Sequence, residues 1–291
     1  AERMKFSAFL LFTILWATFV YDPVCHWVWG IGGFLRNMGA LDFAGGTVVH
    51  INAGIAALVT ALVIGKRKNL NHHVPAPHNL PFVILGTGLL WFGWFGFNAG
   101  SALAANGLAV NAFVVTHTAA AAAGLSWALI EWMRNGKPTL FGVASGVVAG
   151  LVAITPAAGF VSVIPAIIIG ALVSVFCFAA VTMLKPKLGY DDSLDAFGVH
   201  CIGGIWGALA TGLFASKAIN PAGNDGLFFG NPGLFIIQLK AVLITVGYSF
   251  VVTFIIYKVV DVLLGVRVNE KEELVGLDLS QHHERAYTVL E

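Results

Sequence analysis

The feature that most constrains the fold is the segment from residue 43 to residue 64, which contains no Lys, Arg, Asp or Glu. As an α-helix rising 1.5 Å per residue, it would extend about 33 Å, enough to cross the hydrocarbon core of a bilayer. His50 lies inside this segment. An ionisable group at that depth is costly to keep, so it indicates an ion or proton path. The other interpretation is a neutral histidine that bonds a neighbouring helix.

The composition of the whole chain is that of a membrane protein. Hydrophobic residues make up 58% and charged residues 11% of the 291 residues, whereas a soluble domain has about 25% charged residues. The net charge of +1 gives no indication of a nucleic-acid partner. Nor does the sequence contain a nucleophile–base pair or a cluster of metal ligands that would indicate an enzyme.

The hydropathy pattern predicts eight membrane spans. They cover about 6–20, 43–64, 80–100, 108–131, 140–156, 161–184, 197–215 and 233–260. An even number places both termini on one side of the membrane. Basic residues concentrate on that side, in the termini and in the loops near residues 66–68, 134–137 and 185–187, so we expect it to face the cytoplasm. The outer loops would be 21–42, 101–107, 156–161 and 216–232.

The composition changes after the last span. We therefore expect a transmembrane domain over residues 1–265 and a cytoplasmic tail over 266–291. The tail is too polar to form a core of its own. It is either solvated or a docking site for a regulatory protein.

Two spans begin alike. Asp42 precedes His50, and Asp195 precedes His200, with phenylalanine and small residues around each pair. Because these are the second and seventh spans, they run in opposite directions, which is typical of an inverted repeat with a site near the midplane. The fold class predicted is an all-α, polytopic transmembrane bundle with an inverted five-helix repeat. Such a repeat needs four helices before the span of His50, so we expect about three N-terminal spans to be absent from this chain.

The two histidines approach the midplane from opposite sides. His50 lies about 12 Å along its helix from Asp42, and His200 lies about 7.5 Å along its helix from Asp195. Two neutral imidazoles can share one N–H···N hydrogen bond and pass on a proton. The alternatives are a purely structural pair and a pair of axial haem ligands.

Several other residues have candidate roles from the sequence. Asp195 is predicted to be a structural helix cap, and Asp42 a cap whose charge also favours a cation just outside. The third span carries an aromatic run that includes Trp94 and Phe97 and ends at Ser101. An aromatic face and a hydroxyl at an outer mouth could hold a small cation by cation–π attraction, with Trp29 as a partner.

Four segments closely resemble motifs of the ammonium transporter (Amt/Rh) family and occur in the same order. They are the segment that begins at Asp42, the aromatic run that ends at Ser101, Gly150–Ala157, and the segment that contains Phe197 and His200. The resemblance spans essentially the whole chain and is closest to the bacterial-type channels. It implies eleven transmembrane helices, of which eight are present here. It also implies a homotrimer in the cell (inner) membrane with one conduction path per subunit and a cytoplasmic C-terminus, and a cytoplasmic PII-type protein that binds the inner loops and tail.

The resemblance also assigns roles to individual residues. Trp29 and Ser101 match the outer ammonium site, and Asp42 matches the carboxylate that supports it. Phe97 matches the inner gate phenylalanine and Trp94 lines the same region, while His50 and His200 match the twin histidines of the pore. No cofactor or metal is implied.

The function expected is transport. Ammonium would be captured outside and lose its proton near Phe97, and ammonia would pass the two histidines, whereas potassium cannot shed a proton and would stall. The alternatives are an ammonium sensor that uses the same site without conduction, and an electron carrier.

Overall fold

The polypeptide folds as a bundle of helices that pack against one another. The computed structural model describes residues 2–68, 77–285 and 287. Within those residues the α-helices are α1 Phe6–Trp16, α2 Asp22–Trp29, α3 Phe34–Met38, α4 Asn52–Ile64, α5 Leu80–Gly100, α6 Gly107–Asn135, α7 Leu140–Ile154, α8 Val163–Ala179, α9 Lys185–Leu188, α10 Ile202–Phe214, α11 Pro232–Leu264, α12 Glu270–Val275 and α13 Leu277–His282. Wider π-helical segments join several of them, at Ala17–Tyr21, Gly46–Ile51, Ala180–Leu184 and Phe197–Cys201.

The membrane spans agree with the hydropathy pattern. Seven helical stretches within the described residues are long and apolar enough to cross a bilayer, and the shorter helix Leu140–Ile154 is also apolar. Together they account for the eight predicted segments. The prediction of an all-helical, polytopic membrane protein is confirmed.

The predicted first loop is partly wrong. Residues 21–42 are not a continuous loop, because the helix that begins at Phe6 continues through the π-helical segment into α2 and ends at Trp29. Pro23 is tolerated there because the wide turn already interrupts the hydrogen-bond ladder. The carbonyl of Phe19, four residues before Pro23, accepts a hydrogen bond of 2.7 Å from the Tyr248 hydroxyl instead.

Small residues bring helices α6 and α7 into close contact. A Cβ atom placed on Gly146 would lie 2.6 Å from Cβ of Trp127, and one placed on Gly150 would lie 2.6 Å from the carbonyl oxygen of Ala119. Both contacts join α7 to α6. Close backbone approach of this kind is typical of helices that pack in lipid. Lipid tails are as apolar as the helix surfaces, so no hydrophobic force drives the helices together and close packing has to hold them.

Charged residues gather at one end of the bundle, which we call the basic face. Arg3 donates to the Gly65 carbonyl at 2.9 Å, Arg67 pairs with Asp191 at 2.7 Å, and Arg267 pairs with Glu273 at 2.8 Å. These contacts join the N-terminal segment, the loop after α4, the loop before α10 and the tail. The predicted basic regions at the two termini and near residues 66–68 therefore lie at one end of the bundle.

The tail is partly docked rather than simply solvated. It forms α12, which begins with a capping box between Asn269 and Glu272, and α13. The ring of His282 contacts Phe6 edge-on with centroids 4.8 Å apart. The end of the predicted tail, 288–291, lies outside the described residues.

Candidate functional site

Two imidazoles meet in the middle of the bundle. Nδ1 of His50 lies 3.2 Å from Nδ1 of His200, and the ring centroids are 5.4 Å apart. His50 is buried, with 3% of its surface exposed. The separation fits an N–H···N hydrogen bond between neutral rings, one donating and one accepting.

Both histidines lie in π-helical segments. His50 belongs to Gly46–Ile51 and His200 to Phe197–Cys201. A π-helical turn holds an extra residue, which changes the direction in which its side chains point, and such turns are frequent at functional sites. Gly54 allows the two segments to approach, since a Cβ atom there would lie 2.6 Å from Cβ of Cys201.

The Asp42 carboxylate caps the start of the His50 segment, as predicted. One oxygen accepts the N–H groups of Gly45 and Gly46, at 2.8 and 2.7 Å. The other accepts the N–H and the hydroxyl of Thr47, both at 2.7 Å, and the N–H of Val48 at 3.2 Å. Asp42 is 7% exposed. Its charge is therefore held almost entirely by the first turn of the helix.

The prediction that Asp195 is a helix cap is wrong. Its carboxylate pairs with Lys185, and burial raises its pKa even though Lys185 opposes that effect. The cap is Asp192, which accepts the N–H of Phe197 at 2.8 Å. Asp195 instead takes a left-handed backbone conformation, with φ of 55°. The chain therefore turns there, and the carboxylate of Asp192 reaches the start of the His200 segment. The spacing of eight residues from Asp42 to His50 is a signal that would have found Asp192.

An aromatic pair covers His50. The ring of Trp94 stacks on the imidazole with centroids 5.3 Å apart and an interplanar angle of 15°, and Phe97 meets it edge-on at 6.2 Å. Trp94 is fixed in place by a hydrogen bond of 2.9 Å from its indole nitrogen to the Thr155 hydroxyl. No local sequence pattern marks Thr155 as a site residue, because its contact with Trp94 joins two separate helices.

The structure places Trp29 and Ser101 at helix ends. The indole nitrogen of Trp29 donates to the backbone carbonyl of Asp42 at 2.7 Å, which attaches the end of α2 to the start of the His50 segment. Ser101 donates its hydroxyl to the carbonyl of Phe97 at 2.9 Å. Trp29 therefore contacts Asp42, but no hydrogen bond in the described part of the chain joins it to Ser101.

The histidine pair lines a cavity of about 710 Å³. Its other walls are almost wholly apolar and include Val49, Trp94 and Phe97. Nε2 of His50 is buried and has no hydrogen-bond partner among the described residues. Ligands on opposite sides of one metal ion, each about 2 Å away, would hold their nitrogens about 4 Å apart. The observed 3.2 Å is shorter, so the pair does not have the geometry of axial haem ligands through these atoms.

Comparison with known proteins identifies the family. The model of the Ammonium Transporter Family matches residues 1–287. The chain belongs to the ammonium transporter family. It is 56% identical over 287 residues to an ammonium transporter of Bacillus subtilis, a match that covers 99% of this chain and 70% of that protein. Members of the family are transporters rather than enzymes.

Solved structures from this family share the fold. The crystal structure of Candida albicans Mep2 superposes with a TM-score of 0.87 at 38% identity, covering 92% of this chain and 61% of that one. A protein described as a sensor Amt protein gives a TM-score of 0.87 at 31% identity, covering 97% of this chain and 71% of that one. The chain thus spans 61% to 71% of the length of these three proteins.

Proposed function

We propose that the protein conducts ammonium nitrogen across the membrane as ammonia. The observation that carries this proposal is the direct contact of His50 and His200 inside an apolar cavity. A cation near the bilayer centre costs about 3 kcal/mol or more unless a charged partner compensates it. The described residues that line the cavity include no carboxylate, so a neutral molecule crosses this region far more easily than an ion.

Capture takes place at the mouth formed by Trp29, Ser101 and Asp42. An indole face attracts a small cation, and a hydroxyl adds one hydrogen bond. The hydrogen bond from Trp29 to the Asp42 backbone supports this assignment, because it places the indole next to a buried negative charge. Asp42 acts through the field of its carboxylate, since its oxygens are already occupied by backbone donors.

Ammonium loses its proton before or at the gate made by Phe97 and Trp94, and water at the outer mouth accepts that proton. Ammonia then passes along the histidine pair, where Nε2 of His50 is available as a hydrogen-bond partner. A potassium ion has no proton to lose, so it keeps its charge and stops at the apolar gate. Selectivity in this scheme depends on shedding a proton, not on ionic size.

The basic face is the cytoplasmic side in this proposal, since it carries the excess of Lys and Arg. The protein would lie in the inner membrane as a homotrimer, and a PII-type regulatory protein would bind the basic loops and tail. The contacts of the tail with the N-terminal segment and the loop after α4 support a role in regulation, because a partner that moved the tail would disturb those loops.

The test is reconstitution in proteoliposomes, with ammonium-driven current and internal pH as the readouts. We expect an ammonium response and no potassium current from the unmodified protein. The double variant His50→Ala/His200→Ala should admit potassium. His117→Ala is the matched control, because His117 also lies in a span, and its ring stacks on Trp91 and is not among the described residues that line the cavity. Absence of any ammonium response, or unchanged exclusion of potassium by the double variant, would contradict the proposal.

A second candidate function is ammonium sensing. The similarity to a sensor Amt protein at 31% identity supports it. A sensor would bind ammonium at the outer site without steady flux. Saturable binding together with neither an ammonium-driven current nor a change of internal pH in the same proteoliposomes would favour sensing over transport.

A further inference from the structure

Asn52 is a fully buried amide at the junction between the His50 segment and α4. It is not among the described residues that line the histidine cavity. Its backbone contacts α11, where the hydroxyl of Ser249, also fully buried, donates to the Asn52 carbonyl at 3.0 Å. Any effect of Asn52 on conduction therefore passes through its neighbours and not through contact with ammonia.

The hydrogen-bond pattern changes at Asn52. In an α-helix each N–H donates to the carbonyl four residues before it, which for Asn52 is the carbonyl of Val48. The N–H of Asn52 donates instead to the carbonyls of Thr47 and Val49, five and three residues before it. The Val48 carbonyl accepts the side-chain NH2 group of Asn52 at 3.2 Å. The side chain thus stands in for the backbone N–H that would bond Val48 in an α-helix.

The donor is the part of the Asn52 side chain that makes a contact. Its nitrogen donates to Val48, whereas its oxygen is buried and has no hydrogen-bond partner within the described residues. An unpaired buried polar atom lowers stability. The amide is therefore retained at a cost, and the contact that accounts for it is the hydrogen bond to Val48.

This hydrogen bond favours the turn that carries His50. Val48 lies two residues before His50 in the same π-helical segment. The Asp42 carboxylate accepts the N–H of Val48 and Asn52 donates to its carbonyl, so side chains hold both polar backbone groups of this residue. An α-helical turn would give the Val48 carbonyl the backbone N–H of Asn52 in place of the amide. It would also remove the extra residue of the turn and point His50 in another direction.

We infer that Asn52 is a positioning residue for the histidine pair. Its amide donor stabilises the π-helical turn at Val48, and that turn aims the ring of His50 at His200, 3.2 Å away. The geometric role depends on these contacts alone, whereas its consequence for ammonium flux rests on the proposed function.

A matched pair of variants isolates the donor. Threonine in a helix can donate its hydroxyl to the carbonyl four residues before it, as Thr18 and Thr118 do here at 2.9 and 2.8 Å. Asn52→Thr therefore keeps a donor for Val48, and Asn52→Val has the same shape without the donor. Thr245→Val is the control, because Thr245 is a fully buried residue of α11 whose hydroxyl bonds no described residue.

The direct readout is the N–H···N hydrogen bond between the two rings. Solid-state NMR of the protein in bilayers, with isotopically labelled histidines, detects it as a coupling between the two Nδ1 atoms. The unmodified protein should give this coupling, and His200→Ala, which assigns the signal, should not. Loss of one hydrogen bond to a buried carbonyl shifts the balance between the two turns about tenfold. We therefore expect Asn52→Val to lose the coupling and Asn52→Thr and Thr245→Val to keep it, with ammonium flux in proteoliposomes reduced in Asn52→Val alone.

The outcomes separate this inference from the proposed function. Coupling that persists in Asn52→Val, or that disappears equally in Asn52→Thr, would overturn the inference, as would its absence from the unmodified protein. Coupling lost in Asn52→Val alone, in a protein that gives no ammonium flux at all, would contradict the proposed function and leave the inference in place. If Asn52→Val does not fold, Asn52→Ser and Asn52→Ala differ by the same hydroxyl and replace the pair.

Discussion

Asp192 lies eight residues before His200, as Asp42 lies eight residues before His50, and each carboxylate accepts the N–H of the fifth residue after it. The two hydrogen bonds, to Thr47 and Phe197, measure 2.7 and 2.8 Å. The two halves of the bundle thus start their histidine segments in the same way from opposite sides. They differ in strength, because Asp42 accepts four more hydrogen bonds in its turn.

The difference between the two caps predicts unequal effects of one substitution. Asp42→Asn replaces one acceptor oxygen by an NH2 group that faces several buried donors. We therefore expect the free energy of unfolding to fall by about 2 to 4 kcal/mol. Asp192→Asn keeps an oxygen for Phe197 and should cost about 1 kcal/mol or less. Thermal unfolding in detergent measures both. Equal losses would show that the two caps contribute alike.

The backbone conformation of Asp195 predicts which replacements the position accepts. Asparagine tolerates a positive φ, whereas valine does not. Asp195→Asn should lower the unfolding temperature slightly through loss of the ion pair with Lys185. Asp195→Val should cost a further 1 to 2 kcal/mol or so. If the two variants unfolded together, the left-handed turn would not be under strain.

The Arg67–Asp191 pair predicts instability in acid. Burial acts to raise the pKa of Asp191, but the hydrogen bonds from Arg67 and the charge of Arg3 outweigh it, and the pKa lies below its ordinary value. The pair therefore stabilises the fold fully above the ordinary carboxyl pKa of about 3.9. Its contribution is lost as the pH falls through the lowered folded pKa.

Unfolding temperature measured from pH 6 down to pH 3 checks this prediction. Asp191→Asn should be less stable than the unmodified protein at pH 6, and the gap should narrow as the pH falls. Glu270→Gln is a suitable control, because the Lys68–Glu270 pair is exposed on both sides. A gap that stayed constant across this range would contradict the assignment.

Close packing at Gly54 predicts a functional effect without any change in a histidine. The added Cβ of Gly54→Ala would meet both backbone and side chain of Cys201, so α4 and the His200 segment must separate, at a cost of about 1 to 3 kcal/mol. We expect ammonium flux in proteoliposomes to fall because the His50–His200 contact lengthens. Gly247→Ala is the control, since a Cβ there meets nothing within 4 Å. Unchanged flux in Gly54→Ala would show that the contact tolerates displacement.

Much of the architecture could be predicted from the sequence because apolar length is a local property. The spans follow from charge-free runs such as 43–64, and the approach of His50 and His200 follows from their positions in two spans of opposite direction. The end of the first span could not be predicted, because the helix continues past Pro23 with help from Tyr248, which lies over two hundred residues away.

The amino-acid sequence by itself determined that the chain is a polytopic helical membrane protein and which two histidines lie deep within it, since hydropathy and residue spacing are read along one dimension. Only the tertiary structure decided that the chain makes a left-handed turn at Asp195, that π-helical turns carry both imidazoles, and that Thr155 holds Trp94 over His50. Those features depend on backbone direction and on contacts between segments that are distant in the sequence, and neither can be read from the order of residues along one segment.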